Sequence, residues 1–260
     1  MARGYRRAAM EPNRYLGLLE QDGARLASVA RRGDLDSPIP TCPGWTVADC
    51  VAHTADVYQH KIACMRLRRR PEAYVGEPPA GVALVDWFDT SLAALLTELR
   101  DRGPGAPSYT WWPADQTVGF WYRRMAQETA IHRLDVEDAR GEQTPIDAEL
   151  AIDGIDEVLD AFMGDGWDTV TPEEWGAIDP HAAEGKTVAV HAGGRTWSST
   201  LGPDRIALGR NGGPSHASVS GEPEAVLLWL WGRRPDPVVE LDGDAAALTA
   251  FRDRLRIATQ

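Results

Sequence analysis

At 260 residues the chain is long enough for two modest domains, each burying a core of its own. Its formal net charge of -12 excludes a nucleic-acid partner, because phosphate binding needs a basic surface. No run approaches the roughly 20 apolar residues that span a bilayer, which excludes a membrane partner, and the first residues lack the apolar core of a signal peptide, so a cytoplasmic protein is expected.

Apolar spacing predicts four long helices before about residue 141. The first runs from Glu11 to Ala30 on a stripe of Leu16, Leu19, Leu26 and Val29. The second follows Trp45 and continues to Leu67. Thr46 with Asp49 reads as the capping box that starts it, and the basic run Arg66 to Arg70 as its solvated end, where positive charge suits the helix dipole. A Pro- and Gly-rich connection from Pro71 to Gly81 separates it from a third helix, Val82 to Leu99, and the fourth spans Val118 to Ala139 before a stop at Gly141. Four helices of about 20 residues, each about 30 Å long, suit a bundle.

Beyond that point the period changes. Asp147 to Met163 reads as a fifth helix, and Gly164 to Gly185 is rich in turn residues. Thr187 to His191, Thr196 to Leu201, Arg205 to Leu208 and His216 to Ser220 read as short strands punctuated by glycines. Helices at Glu222 to Trp231 and Ala245 to Ile257 flank one more strand at Val238 to Leu241. The expected fold class is α+β: a four-helix bundle over residues 1–165 and a smaller α/β domain over 166–260, with antiparallel pairing among the strands joined by short loops.

The chemistry concentrates in two segments, Thr41 to His53 and Glu128 to Asp138. Glu128 and His132 stand four apart on a predicted helix and so share a face. With His53 from a neighbouring helix they make a three-ligand site for a divalent metal, leaving one position open for water or substrate. The plain alternative is chance spacing in an acidic helical chain, with His53 a core histidine satisfied by a hydrogen bond. His53 has Val51, Ala52 and Ala55 around it, which places it on a buried face where it needs a partner. Arg124 and Trp121 share the Glu128 face and border the same pocket, although an arginine paired with a surface carboxylate reads equally well. Asp135 is placed to orient His132, His60, seven residues after His53, stands as a possible fourth ligand, and His181, His191 and His216 read as structural or surface residues. Trp111 and Trp112 either wall the pocket or cap the bundle. Cys42, Cys50 and Cys64 are odd in number without metal-ligand spacing, which reads as reduced thiols.

With both segments in view the chain resembles the mycothiol-dependent maleylpyruvate isomerase family, whose N-terminal domain is a DinB-like four-helix bundle. The family pattern Cys-Pro-Gly-Trp-Thr-Val-x-Asp-x-x-x-His is carried here by Cys42, Pro43, Gly44, Trp45, Thr46, Val47, Asp49 and His53. Its second pattern is carried by Glu128, His132, Arg133, Asp135 and Ala139. The stretch Leu228 to Arg233, followed by Leu241 to Asp244, resembles the family's smaller domain. This resemblance implies that His53, Glu128 and His132 hold a divalent ion, for which the mixed nitrogen and oxygen donors suit zinc. It further implies mycothiol as cofactor and a small electrophilic molecule as substrate. The thiol, held as a thiolate by the metal, would serve either to isomerise a cis double bond, as in maleylpyruvate, or to be transferred to the electrophile.

The family also places a substrate-clamping arginine in its C-terminal domain. Arg233 is the match, with Arg234 beside it leaving the register open, and the same region is expected to hold the sugar portion of mycothiol. Two other classes compete on the same scaffold, a metal-dependent hydrolase and a non-enzymatic binding protein; an intact ligand trio speaks against a retired site. The chain carries 25 arginines and two lysines, Lys61 and Lys186, which looks like the codon bias of a GC-rich genome and agrees with the resemblance.

Overall fold

The long helices begin and end where the local chemistry directs. In the computed structural model, which describes residues 10–74, 76–164, 178–203, 205–210 and 212–259, α1 spans Pro12–Arg32 with a proline in its first turn, where no intrahelical donor is lost. Helix α2 spans Val47–Leu67. Its capping box is present as the sequence requires: the Thr46 hydroxyl accepts from the Asp49 amide at 3.2 Å, and the Asp49 carboxylate accepts from the Thr46 amide at 2.8 Å. The helix stops at Arg68 in the left-handed conformation, and Arg66 and Arg68 to Arg70 are exposed, as expected of a solvated end. Helices α3 (Leu84–Arg102) and α4 (Val118–Asp138) complete the bundle.

Helix α1 packs on α4 and α3, and α2 packs on α3 and α4, so α1 and α2, and likewise α3 and α4, lie across the diagonals. The stripe Leu16, Leu19, Leu26 and Val29 is buried, as its period predicts. Helix α4 is different, because nearly its whole circumference is interior. Its charged residues therefore have to be satisfied inside. Arg133 reaches Glu137 at 2.6 Å and Asp22 of α1 at 3.2 Å, while Arg25 of α1 reaches the other oxygen of Glu137 at 2.6 Å. This buried ion network ties α1 to α4.

The second compact unit holds α5 (Ala148–Glu157), continued by a π turn at Val158–Phe162, and a five-stranded sheet. Its strands are β1 (Thr187–Ala192), β2 (Arg195–Leu201), β3 (Ile206–Gly209), β4 (Ala217–Ser220) and β5 (Glu240–Gly243), in the order β3-β2-β1-β4-β5. The pairs joined by short loops, β1 with β2 and β2 with β3, are antiparallel as expected, and β5 pairs antiparallel with β4. Only β1 and β4 run parallel, with Val190 opposite Val219. Trp197, Ser199 and Leu201 alternate inward along β2. Helices α6 (Pro223–Leu230) and α7 (Ala245–Ala258) cover this unit: α7 lies against β1 and β4, and α6 against α5.

Three details differ from the sequence expectation. The last strand lies two residues later than Val238 to Leu241, because Pro237 favours a 3-10 turn over Asp236–Val238 and pairing with β4 sets the register. Gly243 ends it at φ +92, where a Cβ would also collide with the His216 carbonyl. Helix α5 belongs to the second unit, which takes in Thr144–Gln260, whereas the sequence boundary was drawn at residue 165. Trp111 also belongs to that unit, its ring 4.9 Å from Phe162. Part of the turn-rich stretch, residues 165–177, lies outside the described residues.

Candidate metal centre

The α2 and α4 helices run antiparallel past one another and bring His53, Glu128 and His132 together. His53 Nε2 lies 3.2 Å and His132 Nε2 lies 3.4 Å from the same oxygen of Glu128, and the three ligand atoms fall within 4.8 Å of one another. Metal bonds of about 2.0–2.1 Å in tetrahedral arrangement set ligand atoms about 3.3 Å apart, so two edges of such a polyhedron are already formed. The donor set, two imidazole nitrogens and one carboxylate oxygen, is that of an open catalytic site and not of a closed thiolate cage.

The cluster is buried on one side and open on the other. The His132 side chain is 10% exposed and that of Glu128 16%, against 40% for His53. Access is therefore past His53. Trp45, the residue before the α2 cap, walls this side with its ring 5.0 Å from His53 and stacked 5.9 Å from His132. The capping box thus does more than start a helix: it fixes the backbone on which this indole is carried.

Partners around the ligands set their charge and orientation. His132 Nδ1 lies 3.0 Å from the fully buried Asp135 carboxylate, which leaves Nε2 facing Glu128. Arg124 Nη2 donates to the second oxygen of Glu128 at 2.8 Å, so this arginine pairs with the carboxylate of the candidate trio. Burial would raise the Glu128 carboxyl, but the bonds to His132 and His53, together with the His132 and Arg124 charges, outweigh it and hold it well below the usual glutamate range. Burial likewise works against a charged His132, but Cys50, Asp135 and Glu128 outweigh it and raise its pKa well above the ordinary histidine value.

Cys50, His132 and Asp135 form a second group of metal-ligand type, fully buried. It shares His132 with the first. Cys50 Sγ donates to the His132 carbonyl at 3.7 Å, so the thiol and Asp135 support this ligand from behind. The three cysteines are free thiols, as expected.

The other sequence candidates make contacts of their own. Trp121 is buried and donates through Nε1 to Ser108 Oγ at 2.9 Å. His60 contacts Lys61 and Cys64 and stacks on Tyr74, outside the ligand trio. His181 pairs with Glu184, His191 with Thr196, and His216 Nδ1 accepts from the Thr187 amide. In the second unit Arg233 and Arg234 follow α6, half-buried, each donating to a backbone carbonyl at 3.0 and 2.9 Å. Sequence reasoning missed Trp45 and Cys50 as supports of the ligands. Their position next to His53 in a single conspicuous motif was the available signal.

A helical bundle with a two-histidine, one-carboxylate cluster, joined to a small mixed-sheet unit, defines the class of protein. Residues 16–137 match the mycothiol maleylpyruvate isomerase N-terminal domain and residues 149–250 match the C-terminal domain of the same family. The chain belongs to the mycothiol-dependent maleylpyruvate isomerase family. The crystal structure of the mycothiol-dependent maleylpyruvate isomerase superposes with a TM-score of 0.59 at 15% identity, over 91% of this chain and 95% of that one. A histidine-to-alanine mutant of that protein superposes with a TM-score of 0.58 at the same identity and coverage. No curated protein sequence matches the chain. Among the described residues no helix is long and apolar enough to cross a membrane.

Proposed function

We propose that this protein is a metal- and mycothiol-dependent enzyme that isomerises a small cis-unsaturated acid such as maleylpyruvate. The observation that supports this most is the meeting of His53, Glu128 and His132 at metal-ligand spacing within a chain of this family. His53, Glu128 and His132 would hold a divalent ion, zinc by the donor set, and that ion would supply a lowered thiol pKa, so that a thiolate would be available to add to the conjugated double bond and to leave again after rotation to the trans isomer.

The chain's own residues do the positioning. Glu128, kept ionised by its bonds to His132 and His53 and by the His132 and Arg124 charges, would supply the one anionic ligand, leaving a divalent ion with positive charge to hold a thiolate. Asp135 fixes the tautomer of His132 and raises its basicity as a ligand. Trp45 excludes water from the histidine edge. Arg233, or Arg234 beside it, acts as the clamp for a substrate carboxylate and holds polar groups of the thiol cofactor.

Calorimetric titration of mycothiol and of glutathione into zinc-loaded protein tests this reading. Mycothiol is expected to bind at least tenfold more tightly, which needs only about 1.4 kcal/mol, the worth of one or two hydrogen bonds. Turnover of maleylpyruvate with the thiol recovered marks an isomerase, whereas stoichiometric thiol consumption marks a transferase. No heat with either thiol overturns the thiol-dependent reading and favours hydrolysis or binding alone.

A further inference from the structure

We propose that Lys61 is the anion-recognition point of the bundle, its ammonium group receiving a carboxylate of the substrate two helical turns from the metal ligands. This deepens the function proposed above and rests on it. Lys61 is one of two lysines in a chain with 25 arginines. The other, Lys186, is a part-exposed partner of Asp244 at 3.1 Å. Lys61 instead lies in the interior, 8% exposed, and among the described residues no carboxylate comes within ion-pair distance of its Nζ.

What surrounds that nitrogen is neutral. It donates to Nδ1 of His60 at 3.0 Å and to the Tyr74 hydroxyl at 3.5 Å, and it lies 5.4 Å from the ring centroids of both Tyr74 and Trp121. Burial, and then the Lys61 charge itself, push the His60 pKa down to about 4, so the imidazole is an uncharged acceptor at neutral pH. An ammonium has three donors to place, and a buried charge whose hydrogen-bond partners are all neutral is costly: burial lowers the Lys61 pKa, and the more distant Glu128 and Asp56 charges offset that only in part. A lysine kept inside against that cost, in a chain that uses arginine elsewhere, marks a position where a compact point charge is needed.

The geometry relates this charge to the metal centre. Trp121, Arg124 and Glu128 recur at helical spacing on one face of α4, and the Lys61 nitrogen lies over the first of them. Of the charges that act favourably on Lys61, that of Glu128 is the largest. Seven residues of helix separate Trp121 from Glu128, about 10 Å along the axis. An unsaturated acid of about six carbons, with its double bond at the metal-held sulfur, covers most of that gap, and one charge-assisted hydrogen bond of about 2.8 Å closes it. Tyr74, half-exposed and stacked on His60 at 4.1 Å, covers the lysine.

Maleate is the probe. Titrated into zinc-loaded full-length protein, it is expected to bind at least tenfold more weakly to Lys61→Met and not to recover in Lys61→Arg, whose planar fork does not replace a compact charge, with zinc stoichiometry and mycothiol affinity unchanged in both. The wild-type protein supplies a second measurement that needs no variant: acetic anhydride labelling read by mass spectrometry, with Lys186 as internal standard. Saturating maleate should slow acetylation of Lys61 and leave Lys186 unaffected. Unchanged maleate affinity in Lys61→Met, or unprotected Lys61 in the wild type, overturns the proposal even where zinc and mycothiol still bind. Failure of the wild type to bind zinc or mycothiol overturns instead the function on which it rests.

Discussion

In the helical unit, α4 alone carries Arg123, Arg124, His132, Arg133, Asp135 and Glu137 into the interior. In the sheet unit the buried strand positions are Val188, Ala189, Val190, Ala192, Trp197, Leu201, Ile206, Ala217 and Val219, with Ser199 the one polar exception among the described residues. Burying hydrocarbon stabilises a fold directly, whereas burying charge is offset only where every group finds a partner. Helix α4 and the strands therefore divide the work. The sheet buries chiefly hydrocarbon, and the bundle has its stability lowered by the polar interior that a ligand site demands.

Variants that act on one unit and not the other sharpen this contrast. The largest effect is expected from His132→Ala, which removes one of three ligands. Zinc retained after dialysis should fall far below one equivalent, and turnover by more than about a thousandfold, or roughly 4 kcal/mol. Metal analysis on the purified variant checks this, and a full equivalent of bound zinc would break the ligand assignment. Next in size, Arg133→Ala removes the buried cation shared by Asp22 and Glu137 and should destabilise the protein by about 3–5 kcal/mol in urea unfolding. Leu201→Ala in β2 should cost a comparable 2–5 kcal/mol by leaving a cavity, yet leave zinc affinity unchanged. If Leu201→Ala lowered zinc affinity as well, the two regions would not be independent in function.

Smaller effects test the supports of the ligands. Asp135→Asn keeps a hydrogen-bond acceptor for His132 but removes the charge, and should weaken zinc binding by about 10–100-fold with little loss of stability. Competition against a fluorescent chelator measures it. An affinity equal to the wild type would reduce Asp135 to a structural role. Last, Thr46→Ala deletes the cap of α2 and should lower stability by about 1 kcal/mol, read as a small fall in Tm. Zinc affinity should change less than that, because Trp45 is also held by its ring contacts with His53 and His132.

Much of this was legible in the chain itself. The four long helices, the capping box at Thr46 and the four-residue interval from Glu128 to His132 follow from period and local hydrogen bonding, which depend on neighbours in sequence. So does the alternation along β2, with Trp197 and Leu201 facing inward. Those signals name a face. They do not name what the face meets. The parallel pairing of β1 with β4 and the register of β5 depend on strands distant in sequence, and α5 joined the second unit because of where it packs, which its own amphipathic pattern leaves open. Tertiary structure also decided that Arg124 pairs with Glu128, that Trp45 lies against both histidines, and that Lys61 is buried away from any carboxylate among the described residues. The physical reason is common to all of them: a side chain's chemistry is set by its partners within a few ångströms, and for these residues the partners arrive from another helix or strand.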